Sequence, residues 1–336
     1  VTDLQAKDDT RALLTPTKLL MQLAGFAVGV SLLVWIIVNA VEEGDWGRIV
    51  RIVGADPWLV AALLGCTLVS TLLNGSTFWV TIHPVRRIRL WDLQRLNVVA
   101  NMLNYAPVRL GAIARVLYHL RVDGLGFLQI GAWFGIIGYT LALGVASCLL
   151  ATIVHPTVDW VWAGLVVAQL LLGGMAIRVA AGLPLIARYG AGIDRMVNDQ
   201  RSLWGAILLR VADLGAFTGR MAVAAAILDI RLEPDQVVVL ALVALAANLI
   251  PFGRVGFREF CVAATGLTML AGEAEHKMNQ LALVESAGEA LVFIPVGAML
   301  LPWFRRRWQK GDWGNANSAT RPAEPDQPAP GPEDVA

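Results

Sequence analysis

The chain has 336 residues, 57% of them hydrophobic and only 16% charged, with a mean hydropathy of +0.61. That composition excludes an ordinary soluble protein, and 27 Lys+Arg against 26 Asp+Glu, a net charge of +1, leaves no basic excess for nucleic acid and no acidic excess for a disordered chain. An integral membrane protein is the class that fits.

Crossing about 30 Å of hydrocarbon takes about 20 helical residues. In chain order, charge-free stretches of that length predict spans at 19–41, 57–82 and 127–154. Residues 160–177 are shorter but open on Trp160 and Trp162, as suits an interfacial aromatic belt, and predict a fourth span. Residues 203–228 and 278–303 have span length but carry Arg210, Asp213 and Arg220 in one and Glu285 and Glu289 in the other. They predict a fifth and a sixth span with paired or functional charges.

Basic residues assign the sides. Lys7, Arg11 and Lys18, the group Arg86 to Arg95, the group Arg178 to Arg201, and Arg305 to Lys310 fall on one side, fifteen Lys or Arg in all, against four in the opposite connections. The expectation is a plasma (inner) membrane protein with both termini cytoplasmic. The first hydrophobic run exceeds a signal-peptide core, so no cleavage is expected. Residues 1–17 read as a cytoplasmic segment, 18–305 as the membrane domain, and 306–336 as a basic stretch followed by a disordered Pro-rich, acidic tail.

Two hydrophobic regions are left over, each starting and ending on one side. Residues 96–120 are broken at Pro107, and 237–271 at Pro251 and Gly253. Each half is about 11 to 18 residues, at or below the length of a span, so both regions are predicted to be re-entrant broken-helix hairpins, buried in protein or lining a cavity. Both breaks place an asparagine, Asn104 or Asn248, three residues before the proline, with Arg and Gly following: Asn104-Tyr-Ala-Pro107-Val-Arg109-Leu-Gly111 and Asn248-Leu-Ile-Pro251-Phe-Gly253-Arg254-Val-Gly256. The expected architecture is all-α, about six transmembrane helices plus two re-entrant hairpins, in an inverted-topology repeat over about 18–154 and 158–304.

At Pro107-Val-Arg109-Leu-Gly111-Ala112-Ile-Ala-Arg115 and Pro251-Phe-Gly253-Arg254-Val-Gly256-Phe-Arg258-Glu259 the chain resembles the lysylphosphatidylglycerol synthase transmembrane family, or flippase-like domain family. The likeness covers about 18–305 and implies lipid translocation. Two departures stand out: Ala112 replaces the family's glutamate, and Arg254 replaces a glycine. Both make the site more cationic, which argues against a positively charged head group such as a lysyl lipid. The roughly 26 residues after Lys310 are too few for the aminoacyl-transferase domain found beside this domain in the multiple peptide resistance factor.

Ionisable groups within a membrane cost at least about 2.5 kcal/mol each and generally face a partner, a cavity or a substrate. Arg109, Arg115, Arg254, Arg258 and Glu259, with Asn104 and Asn248, form the candidate substrate set. Arginine forks suit phosphate, and helices restarting after the breaks add backbone donors, so Arg109, Arg254 and Arg258 are candidates to cradle a lipid phosphate. The alternative is internal pairing, with Glu285 and Glu289, four apart on one helix face, neutralising Arg258 and Arg115. Arg210, Asp213 and Arg220 share a face and are expected to pair as a ladder. A glutamate left unpaired among Glu285 and Glu289 would be a proton-coupling candidate.

No metal site, cofactor or catalytic residue is expected: the four histidines are scattered, the three cysteines lie in apolar runs, and no nucleotide-binding loop occurs. The functional expectation is a transporter or flippase, not an enzyme, that moves an anionic phospholipid or polyprenyl-phosphate lipid between leaflets. The alternatives are an integral membrane enzyme on a lipid-linked substrate, with Glu259, Glu285 or Glu289 as acid or base, and a non-catalytic partner of a lipid or cell-envelope biosynthetic enzyme. A membrane lipid is the expected partner, with a biosynthetic enzyme or a second copy of the chain left open.

Overall fold

The computed structural model describes residues 16–42, 54, 56–106, 110–184, 191–247, 256–269 and 275–310. Among these residues there are eleven helices and no strand. They are α1 (Pro16–Glu42), α2 (Pro57–Ile82), α3 (Leu90–Leu103), α4 (Leu110–Arg121), α5 (Phe127–Val154) and α6 (Trp160–Ala181). There follow α7 (Ile193–Asn198), α8 (Gln200–Ile227), α9 (Pro234–Ala247), α10 (Phe257–Met269) and α11 (Glu275–Lys310).

Three of the long helices start on an aspartate that satisfies first-turn donors. Asp56 accepts from the Trp58 N–H at 3.0 Å, with Pro57 following at the first helical position. Asp159 accepts from the Val161 and Trp162 N–H groups at 2.9 and 3.0 Å, and Asp199 from that of Ser202 at 2.8 Å.

Five helices are long and apolar enough to cross a membrane: α1 over Leu20–Ala40, α2, α5, α6, and α11 over Lys277–Lys310. Their outer faces carry large bare side chains, including Leu172 at 62% and Met299 at 78% exposure. Faces of that kind belong in hydrocarbon, not water. The chain is therefore a polytopic, all-helical integral membrane protein. The sixth expected span, α8, has 28 residues, but its Arg210, Asp213 and Arg220 are buried and depress its hydropathy. The last helix also runs further than expected, through Pro295 and Pro302 and past the basic run to Lys310.

The centre is the antiparallel pair α2 and α8. Cys66 lies against Gly219 and Val80 against Gly205, Ser70 bonds Asp213, and Ser202 bonds the Thr81 carbonyl, so the contacts run in opposite order along the two helices. Around this centre stand two pairs of short helices. In the first, α3 and α4 are antiparallel: Gly111 is so close to α3 that a Cβ there would stand 1.8 Å from the Ala100 carbonyl oxygen, and Arg115 bonds Asn97. Both of its outer ends sit at the C-terminal end of α11, where Arg307 bonds Asp92 at 3.0 Å, Arg95 covers the Trp303 ring and Arg121 covers that of Trp308. Met102, near the inner end of α3, rests instead on Gly297.

The second pair comprises α9 and α10, which pack together. The 14-residue α9 buries Val237, Val238, Leu240, Ala241, Leu242 and Ala244. A helix apolar on all sides is a core element, too short at about 21 Å to span a bilayer.

Candidate functional site

Residues near the middle of α2 and α8, the inner ends of α3 and α4, and α11 enclose a polar cavity of about 270 Å³. On α2 it is lined by Thr67, Ser70, Thr71 and Asn74. These follow helical spacing and form a polar stripe on an otherwise apolar span.

Arg115 enters from α4. Its Nη2 donates to Asn97 Oδ1 at 2.7 Å, and its guanidinium lies over the Phe78 ring, 4.3 Å from the centroid. Asn97 is itself anchored, its Nδ2 donating to the Thr71 carbonyl at 3.1 Å. These neighbours hold the fork in place but are neutral, and no carboxylate lies within ion-pairing distance of Arg115 among the described residues. The expected pairing of Arg115 with Glu285 or Glu289 is thus corrected: those acids are engaged elsewhere, on arginines of α8 and α10.

That engagement is a buried cluster of four charges. Arg220 Nη1 donates to Glu289 Oε1 at 2.6 Å, and its Nη2 reaches Glu285. Arg258 Nη1 donates to Glu289 Oε2 at 2.5 Å, and its Nη2 also reaches Glu285. Among the described residues two cations and two anions balance, and the set ties α8, α10 and α11 together. Arg220 is 1% exposed, as is Arg258, so the pairing compensates two charges that burial would otherwise leave unopposed. The ladder expected along α8 is accordingly split. Arg210 and Asp213 do pair at 3.0 Å, whereas Arg220 turns to α11. Neither glutamate is left unpaired.

Glu259 also has a local role. One carboxylate oxygen accepts from the Gly256 N–H at 2.7 Å and the other accepts from the Ser286 hydroxyl, so it caps α10 and fastens it to α11. Gly256 has a φ of +87°, and a Cβ there would lie 1.6 Å from the Gly29 carbonyl oxygen of α1.

Asn104 caps the C-terminal end of α3 and lines the cavity. Its Oδ1 is buried with no hydrogen-bond partner among the described residues. Arg109, Asn248 and Arg254 lie outside the described residues. The cavity therefore gathers Asn104, Arg115, Arg210, Asp213 and Glu289 from the expected set, while Arg258 and Glu259 serve the joint between α10 and α11.

Sequence reasoning passed over Asn97, Ser70, Thr71 and Asn101. The signal that could have found the α2 residues is the spacing of Thr67, Ser70, Thr71, Asn74, Thr77 and Thr81, three or four apart inside a span.

A second cavity of about 280 Å³ adjoins the first and shares Leu141, Arg210 and Leu245 with it. Its other walls are mainly apolar, among them Val145, Trp162, Val166, Leu170 and Leu214. Among the described residues no group of three or more His, Cys, Asp or Glu is placed to hold a metal ion.

Fold and site together define the class as a polytopic helical membrane protein with a polar, arginine-bearing cavity at its centre. Comparison with known protein families, characterised proteins and solved structures finds no match.

Proposed function

We propose that the protein is a carrier that moves an anionic lipid between leaflets, without chemical change, through the cavity at Arg115. The observation that carries this reading is the adjacency of two unlike cavities. One is polar and holds an arginine that meets no carboxylate among the described residues; the other is apolar and shares Leu141, Arg210 and Leu245 with it as a common wall. An amphiphile has the same two parts. Its phosphate suits the planar fork of Arg115, and its acyl chain suits the apolar walls. The resemblance of the two Pro/Arg/Gly breaks to the flippase-like domain family points the same way.

In this reading α8 is a sixth span, α3/α4 and α9/α10 are re-entrant hairpins entering from opposite faces, and the halves 18–154 and 158–304 are inverted repeats. Helix starts support it: Pro16 and Trp160, Pro57 and Gln200, and Leu90 and Pro234 are 144, 143 and 144 residues apart. So does the exchange of neighbours: α11 packs on α3 as α5 packs on α9, α1 on α11 as α6 on α5, and α2 on α5 as α8 on α11. The Ser70–Asp213 bond, with partners 143 apart, then falls on the pseudo-two-fold axis. In this reading the membrane is the plasma membrane, and by the distribution of Lys and Arg the termini are cytoplasmic.

The test is leaflet exchange of fluorescent phospholipids in proteoliposomes, with native protein, Arg115→Gln and Arg115→Lys reconstituted at equal density. Exchange of unmodified anionic lipid by native protein, lost in a monodisperse Arg115→Gln variant, supports the reading. Equal exchange by native protein and Arg115→Gln overturns it, and a covalently altered lipid product points to an enzyme instead.

A further inference from the structure

We infer that the end of the bundle where α2, α3 and α11 meet carries a second binding site, separate from the cavity at Arg115, and that it takes the phosphate monoester of a membrane lipid. The site is a third, open cavity of about 560 Å³. It shares no residue with the cavity at Arg115, so the inference does not depend on the carrier reading.

The wall follows from how the chain turns. The long α2 ends at Ile82 and α3 begins at Leu90, and the connection between them is folded back on α2, where the Trp79 indole N–H donates to the Ile88 carbonyl at 3.0 Å. That turn brings Arg87 and Arg89 into the cavity wall, and both are exposed. Arg95 and Arg307 complete it and are held in place. Arg307 pairs with Asp92 at 3.0 Å, and Arg95 lies 4.0 Å from the same carboxylate and over the Trp303 ring.

Charge selects the ligand. Four guanidiniums line the cavity against one carboxylate, that of Asp92, which leaves a surplus of three positive charges. No carboxylate lies within ion-pairing distance of Arg87 or Arg89 among the described residues. The start of α3 adds to the field: its N-cap is Arg89, whose side chain makes no cap hydrogen bond, and the positive end of a helix favours an anion. A phosphodiester brings one negative charge. A phosphate monoester brings about 1.5 to 2 at pH 7, with three acceptor oxygens for the guanidinium forks, and is the better match.

Position selects a lipid as the source of that phosphate. Trp79 and Trp91 line the cavity, Trp91 is 68% exposed, and indoles at the ends of spans lie at the level of lipid head groups. The turn from a long helix into a short one does not itself demand arginine. The corresponding connection between α8 and α9 carries Asp229 and Glu233 against Arg231.

The experiment measures binding of a fluorescent-acyl phosphatidic acid tracer to the purified full chain in neutral detergent at about 0.15 M salt, where exposed charges more than about 8 Å apart are largely screened. Arg87→Gln/Arg89→Gln removes two charges from the wall and leaves the Asp92 contacts intact, with gel filtration as the check on folding. Arg86→Gln/Arg305→Gln removes two exposed charges from the same end of the bundle that do not line the cavity. Affinity should fall about tenfold or more in the first double variant, the scale of one charge-assisted hydrogen bond, and change little in the second or in Arg115→Gln. Phosphatidic acid should displace the tracer about tenfold better than phosphatidylglycerol with the same acyl chains, and glycerol 3-phosphate should compete poorly.

Equal losses in the two double variants would reduce the effect to general surface attraction and overturn the site. Loss in Arg115→Gln with none in Arg87→Gln/Arg89→Gln would put the tracer in the central cavity and overturn it as well. If phosphatidylglycerol competes as well as phosphatidic acid the monoester assignment fails, and if glycerol 3-phosphate does, the lipid source fails. The carrier reading stands or falls separately, on leaflet exchange.

Discussion

Arg115 differs from the other buried arginines in what surrounds it. Arg210, Arg220 and Arg258 each touch a carboxylate, whereas Arg115 is held by an amide oxygen and an aromatic face. A lysine at that position keeps the charge but has no planar fork to lie on Phe78 while bonding Asn97. Arg115→Lys is therefore expected to retain partial exchange, and Arg115→Gln to lose about tenfold or more, the scale of one charge-assisted hydrogen bond. Initial exchange rates in proteoliposomes check both. Glycines divide as sharply. Gly256→Ala should lower the thermal midpoint markedly, because its φ is positive and the Gly29 carbonyl blocks the new methyl. Gly65→Ala, in the interior of α2 with nothing within 4 Å, should be neutral or stabilising by up to about 1 kcal/mol. Melting curves of the two variants in the same detergent decide it.

At the scale of elements, the four-charge cluster is the fastener between α8, α10 and α11. Removing one member strands a buried partner at a cost of about 3–5 kcal/mol. Arg258→Met is expected to cut the yield of folded protein severely, and so is Glu289→Leu. Combining Glu289→Leu with Arg220→Leu leaves Arg258 facing Glu285 in a neutral pair, so the double variant should be more stable than Glu289→Leu alone. Fluorescence-detected gel filtration after a heat step compares them, and a double variant no better than the single would refute the charge-balance account. The α3/α4 hairpin is fastened differently, by aromatic and cationic contacts with the end of α11: Tyr118 stacks near Trp303 and Phe304.

For the whole molecule, the arrangement makes a prediction about sidedness. Trp91 and Arg121 stand at opposite ends of the α3/α4 sequence yet at one end of the bundle. In a background lacking Cys66, Cys148 and Cys261, Trp91→Cys and Arg121→Cys should both react with an impermeant maleimide from the cytoplasmic face. Labelling from opposite faces would make the segment a span and dissolve the inverted-repeat reading. The same assay at Asp159, between α5 and α6, is expected to label from the outside. There His155 bonds the Asp159 carboxylate and holds its pKa below the ordinary range, with the Trp162 N–H adding to the effect. A depressed pKa means the cap is complete above the ordinary carboxylate range and weakens as pH falls through the lowered value.

How much of this the sequence determined follows from what each feature depends on. Membrane class, helical content and the long apolar helices depend on composition and on runs of about 20 residues, which are local properties; they were legible. The short helices flanking the two Pro/Gly-bearing stretches, α3 with α4 and α9 with α10, are separate elements, while Pro107, Pro251 and Gly253 themselves lie outside the described residues. Arg210 and Asp213, three apart on one helix, could be paired from spacing alone. What only the tertiary structure decided is which distant charges meet. Arg220 and Arg258 reach Glu285 and Glu289 from separate helices, 69 residues apart in the chain for one bond and 31 for another. That leaves Arg115, which had seemed equally eligible for those acids, at the polar cavity. A buried arginine does one thing when a carboxylate is beside it and another when none is, and packing, not sequence spacing, settles which.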